Sequence, residues 1–165
     1  MTKTDIFACA NIGAPITDMV TGYLGIRGGS GLPRYFMYEE WQSRMGKSLW
    51  EAKDKYLASS AIVEADKIHT PLLIWHNDKD EAVAYEQGRA LYLAMRRLQR
   101  PAWHLNYKGE GHFLGNQAAQ KDWTIRMKQF FDYYLKGTKE PRWMKEGIHC
   151  LLYTSDAADE RSSVD

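Results

Sequence analysis

The chain has 165 residues, 44% of them hydrophobic and 13% aromatic, which is enough to bury a single-domain core and too apolar for a disordered segment. Lys and Arg number 22 against 21 Asp and Glu, a net charge of +1, so the basic excess of a nucleic-acid binder is missing. No apolar run reaches bilayer length, and the opening "MTKTDIFACANIGAP" is interrupted by Asp5 in the manner of no signal peptide. Cys9 and Cys150 provide neither a disulfide framework nor a C-x-x-C metal pair.

In chain order, "IFACANIGAP" is a short apolar run ending at Gly13 and Pro15, which predicts a buried strand leading into a loop. From Met19 to about Glu40 five glycines alternate with aromatics, and this composition predicts a loop rather than an amphipathic helix. "EEWQSRMG" and "SLWEAKDKYLASS" read as short helical pieces, the second opened by Ser48 with Glu51 three residues on. Pro71 then begins "PLLIWHND", a compact apolar strand of the parallel-sheet type.

"AYEQGRALYLAMRRLQR" predicts a helix that stops before Pro101 and is weakened in its first turn by Gly88. "AWHLNY" is the next strand. "QKDWTIRMKQFFDYYLKG" spaces Trp123, Met127, Phe130, Phe131, Tyr134 and Leu135 by threes and fours and closes on Gly137, with Pro141 beyond. These signals predict a helix with a glycine after its last turn. The alternation points to an α/β layer with a mainly parallel sheet.

Sites in such sheets collect on loops beyond the carboxyl ends of the strands. One such loop, "HNDKDEAV", carries Asp78 and Asp80; another, "KGEGHF", carries Glu110 and His112. Adjacent parallel strands joined by one helix would bring both loops to one edge, where Asp80 could orient His112. An acid that orients a histidine is two-thirds of a nucleophilic triad, and acid before histidine is the chain order of the α/β-hydrolase fold. Asp78 reads as a structural hydrogen-bond acceptor in its loop. His69, His76 and His104 stand in no comparable context, and His104 reads as a strand side chain. No His, Cys, Asp and Glu triplet has metal-ligand spacing, and no cofactor is expected.

After "EPRWMKEGI" the style of the sequence changes to "CLLYTSDAADERSSVD". The eleven residues Cys150 to Glu160 resemble the translation of a transposon-derived adapter used in DNA sequencing libraries. Residues 150–165 are therefore expected to be a non-native tail and 1–149 the native part, belonging to a longer gene.

"TPLLIWHNDKDEAVAYEQGRALYLAMRRLQRPAWHLNYKGEGHF" followed by "RMKQFFDYYLKG" resembles the C-terminal part of the catalytic domain of prolyl-oligopeptidase-type serine peptidases. Upstream, "IFACANIGAPITD" is similar to the family's strand after the nucleophile helix, and "GGSGLPRYFMYEEWQSRMG" to the segment beyond it. The resemblance runs roughly from Thr4 to Ile148. It implies the C-terminal half of an α/β-hydrolase fold, with Asp80 as triad acid in a D-x-D-x-x-V pattern and His112 as general base. It also implies a peptide substrate and an upstream remainder of the same protein, a β-propeller and the nucleophile half.

Two departures qualify the match. Ala82 stands where some members place an arginine or asparagine that meets a substrate carbonyl, so their cleavage preference is not carried over. The family's G-x-S-x-G elbow is absent, and Ser30 in "GGSGL" has Leu32 where a glycine is required. The nucleophile is thus expected upstream of Met1 and the chain alone is predicted inactive. Another α/β-hydrolase, an esterase or acyl transferase, and a non-catalytic α/β binding domain remain as alternatives.

Overall fold

The structure, a computed structural model, describes residues 1–148; the expected adapter-derived tail lies outside the described residues. The chain divides into two compact units, the first Met1–Asn116 and the second starting at Gln117. The first contains a parallel sheet of β1 (Ala10–Gly13), β4 (Leu72–Trp75) and β5 (Ala102–Leu105) in the order β1-β4-β5. A separate two-residue hairpin pairs β2 (Ile26–Arg27) with β3 (Leu32–Pro33).

β4 is central and hydrogen-bonded on both sides, and its Leu72, Leu73 and Ile74 are fully buried. That environment is why its apolar run is continuous rather than alternating. Helix α4 (Glu86–Arg97) returns the chain from β4 to β5. Its Leu91 and Met95 join Ile68, Leu72, Ile74 and Ala102 in one buried cluster. Each of the leucine, isoleucine and methionine side chains contributes roughly 1.5–3 kcal/mol on removal from water.

The glycine-rich stretch is more ordered than its composition predicts. Helix α1 (Met19–Tyr23) forms because Asp18 caps it, Oδ1 accepting from the Val20 N–H at 2.9 Å. Gly22 is required inside it because the Tyr38 hydroxyl occupies the space a Cβ would need. Helix α2 (Tyr35–Glu39) ends where the helical piece expected in "EEWQSRMG" would begin; residues 40–43 are turns and bends, and 44–46 have no regular structure. Tyr38, Met37 and Met45 bury there with Tyr23, Leu49 and Tyr56 in a second cluster, so aromatic packing rather than helical period sets this segment.

Ser48 and Glu51 do meet, the Ser48 N–H donating to Glu51 Oε2 at 3.1 Å. They brace a turn, and helix α3 (Lys53–Ala58) starts after it. A kinked 3-10 segment, Ala61–Lys67, precedes β4.

In the second unit, α5 (Gln117–Lys136) is followed by Gly137 at φ 65°, the left-handed residue expected after a helix. A short helix, α6 (Arg142–Glu146), begins after Pro141, and its Trp143 Nε1–H donates to Gln129 Oε1 of α5 at 2.8 Å. No helix among the described residues is long and apolar enough to cross a membrane.

Candidate active site

β4 and β5 run parallel in register, Trp75 opposite Leu105, so the loops that follow them leave the same edge of the sheet. The first loop turns at once, the Asp80 N–H donating to the Asn77 carbonyl at 3.2 Å. The Asp80 carboxylate is 1% exposed. Its Oδ1 accepts the backbone N–H groups of Ala82 and Val83, both at 2.8 Å. This divides the carboxylate: one oxygen is held by its own turn and the other, Oδ2, points outward from it.

Oδ2 meets His112 Nδ1 at 2.8 Å. With a carboxylate there, Nδ1 carries the imidazole proton and Nε2 keeps its lone pair. The His112 side chain is 34% exposed, and it opens on a cleft of about 430 Å³ lined also by Arg27, Lys79, Glu81 and Ala82. The phenyl ring of the exposed Phe113 stands edge-on against the imidazole, 4.9 Å between centroids. A buried acid, an oriented histidine and an open lone pair together form a site able to take and return a proton.

A second histidine reaches the same acid. His76, to which the sequence context assigns no role, is fully buried, and its Nε2 lies 3.3 Å from Asp80 Oδ2 and 3.1 Å from the Val83 carbonyl. Its Nδ1 accepts the Gly88 N–H at 3.2 Å. That acceptance leaves the ring proton on Nε2, shared between Asp80 and Val83. Burial pushes the His76 pKa below its ordinary value, only partly offset by the Val83 carbonyl and the Asp80 charge, so the ring acts as a neutral donor. The one signal in the sequence was its place, directly after an apolar strand and four residues before Asp80. Gly88 is explained by the same contact, since a Cβ there would lie 2.5 Å from His76 Nδ1.

The other residues singled out have structural partners. Asp78 Oδ1 accepts the Gly109 N–H at 2.8 Å, tying the two loops as an acceptor should. Glu110 Oε2 accepts from Asn116 N at 3.2 Å and from Gly115 N at 2.5 Å. The Ala82 carbonyl accepts from Nη1 of the buried Arg34. Ser30 sits in the turn between β2 and β3, its N–H donating to the Arg27 carbonyl, and not at a strand-to-helix elbow. His104 is part-buried on β5 with its ring stacked on Tyr85. No group of His, Cys, Asp and Glu among the described residues could hold a metal ion.

The family model described as "Prolyl oligopeptidase family" matches residues 1–138. The chain belongs to the prolyl oligopeptidase family. A curated relative within reach of this family, a probable dipeptidyl-peptidase 5 of Aspergillus clavatus, is 30% identical over 102 residues, covering 61% of this chain and 14% of the relative. Among solved structures, a puromycin-hydrolyzing peptidase of Mycobacterium tuberculosis superposes with a TM-score of 0.70 at 21% identity, over 86% of this chain and 20% of that one. An acylaminoacyl peptidase of Pyrococcus horikoshii gives 0.66 at 19% identity, over 90% and 23%. These neighbours establish the α/β-hydrolase fold for this prolyl oligopeptidase family chain. The chain spans 14% of its curated relative and about a fifth of the two solved ones.

Proposed function

We propose that this chain carries the acid and the base of a serine peptidase that hydrolyses the peptide bonds of oligopeptides through a Ser-Asp-His triad. The observation that carries the reading is the 2.8 Å contact between His112 Nδ1 and Asp80 Oδ2 beside an open cleft. Membership of a peptidase family supports it. On this reading His112 Nε2 takes the proton of a serine hydroxyl as the oxygen attacks a peptide carbonyl, then delivers it to the departing amine. Asp80 remains ionised, fixes the ring tautomer and stabilises the imidazolium. Water repeats the cycle on the acyl-enzyme.

The serine and most of the oxyanion hole stand outside this sequence, which contains no G-x-S-x-G. β1 is an edge strand with no partner on its outer side among the described residues, which suits a sheet continued by further strands. Residues 1–149 are then a partial catalytic domain, 150–165 a non-native tail, and the chain by itself is inactive.

One long DNA read across both ends of the coding sequence in its source, followed by expression of the completed protein, tests the reading. An upstream elbow serine is expected, and His112→Ala should abolish acylation by a peptide substrate while the protein stays folded. Unchanged acylation, or a completed gene without an elbow serine, overturns it. Turnover of simple esters without peptide cleavage would assign the same three groups to an esterase or acyl transferase.

A further inference from the structure

Asn77 follows His76 and opens the acid turn, and the residue is 1% exposed. Its Oδ1 accepts two donors, the Tyr107 N–H at 3.0 Å and the Trp75 indole N–H at 3.1 Å. Two donors converging on one atom identify that atom as the oxygen, so the amide nitrogen is the group that faces Gly111. Nδ2 donates to the Gly111 carbonyl at 2.8 Å. Gly111 immediately precedes His112. The backbone carbonyl of Asn77 meanwhile accepts the Asp80 N–H.

We propose that Asn77 is a positioning residue: it joins the turn that holds Asp80 to the backbone that delivers His112, and so sets where the base stands relative to the acid. The proposal rests on the reading of Asp80 and His112 as acid and base. Three other bonds cross between the loops, from the Lys79 N–H to the Glu110 carbonyl at 3.2 Å, from the Gly109 N–H to Asp78 Oδ1 at 2.8 Å and from the Asp78 N–H to Asn106 Oδ1 at 3.1 Å. The second of these is solvent-exposed, where water competes for both partners. The Asn77 link is part-buried and starts from a residue held in the interior. It also ends on the peptide next to the histidine, so it fixes the backbone from which the ring reaches Asp80.

Asn77→Asp separates the two halves of the amide. It keeps an oxygen for Tyr107 and Trp75 and replaces the donor to Gly111 with an acceptor, while Asn77→Gly removes the whole clamp. Both are made in the full 165-residue chain. The readout is the low-field proton resonance of His112 Nδ1–H and its exchange rate with water, with amide protection of Leu72 to Trp75 as the measure of an intact sheet. The expected result is loss of the resonance, or exchange faster by about tenfold, the scale of one buried hydrogen bond, in both variants with the sheet still protected. Unchanged exchange in either folded variant overturns the proposal. Loss of sheet protection in both variants also overturns it, because Asn77 is then a folding residue. If the unsubstituted chain protects its sheet yet shows no such resonance, the acid and base reading itself has failed, which is a separate outcome.

Discussion

His112 Nδ1 and Asp80 Oδ2 stand 2.8 Å apart across 32 residues of chain. The turn of Asp80 holds the other carboxylate oxygen with two backbone N–H groups, so the acid has one geometry in which to receive the ring. A histidine oriented in this way is a base, with its proton on Nδ1 beside the acid and its lone pair on Nε2.

Asp80→Asn keeps an oxygen for the Ala82 and Val83 N–H groups and turns an NH₂ toward His112. The ring must then present its lone pair to that NH₂ and carry its proton on Nε2, the wrong tautomer for a base. In the completed enzyme kcat should fall by about 10⁴, the scale known for loss of an orienting acid in serine proteases. Steady-state hydrolysis of a peptide substrate measures this, and a fall of less than about tenfold rejects the role.

Gly88→Ala pits two effects against each other. Alanine favours a helix over glycine by about 1 kcal/mol. The new Cβ, however, would stand 2.5 Å from His76 Nδ1 and 2.9 Å from His76 Cβ, and overpacking of this kind costs about 1–3 kcal/mol. A net loss of stability is expected, seen as a lower urea midpoint with an unchanged slope. A stabilised variant would show that His76 yields without cost.

Gln87, buried on α4, accepts the N–H groups of both Thr17 and Asp18 on Oε1 at 2.9 Å. Gln87→Leu leaves two backbone donors unpaired, one of them buried, at a cost of about 2–4 kcal/mol. Chemical denaturation checks the figure, and Gln87→Glu, which keeps the acceptor, should lose less.

The pH dependence of stability has a definite sign. Burial lowers the His104 pKa from 6.5 to about 4, with a smaller contribution from His76. The unfolded chain therefore binds more protons than the folded one between those values. Stability is complete above pH 6.5 and is lost as pH falls toward 4, by up to about 3 kcal/mol from this group. His76, also lowered, acts in the same direction. His104→Phe should flatten the profile between pH 7 and 4.5. A parallel decline in both proteins would place the titrating group elsewhere.

Several elements were legible because their cause is local. A continuous apolar run bounded by proline is β4, and threes and fours closing on Gly137 are α5. Asp80 and His112 were legible for a related reason: both follow strands, and parallel neighbours send their loops to one edge. Composition misled where side chains from elsewhere decide. Gly22 sits inside α1 because Tyr38 needs its space, and the helical signal in "EEWQSRMG" yields to the packing of Met45 against the tyrosines.

The sequence by itself determined the three strands of the parallel sheet, the long helices and the two residues on which the chemistry is proposed to rest, since periodicity, breakers and loop order are properties of neighbouring residues. Only the tertiary structure decided which polar side chains are buried and what each of them bonds to. His76, Asn77 and Gln87 are ordinary polar letters in the chain. Each becomes specific through partners brought to it by folding: Gly88 and Asp80 for His76, Tyr107 and Gly111 for Asn77, Thr17 and Asp18 for Gln87. A buried polar group must find such partners or destabilise the fold, and the distances that satisfy it exist only after the sheet has formed.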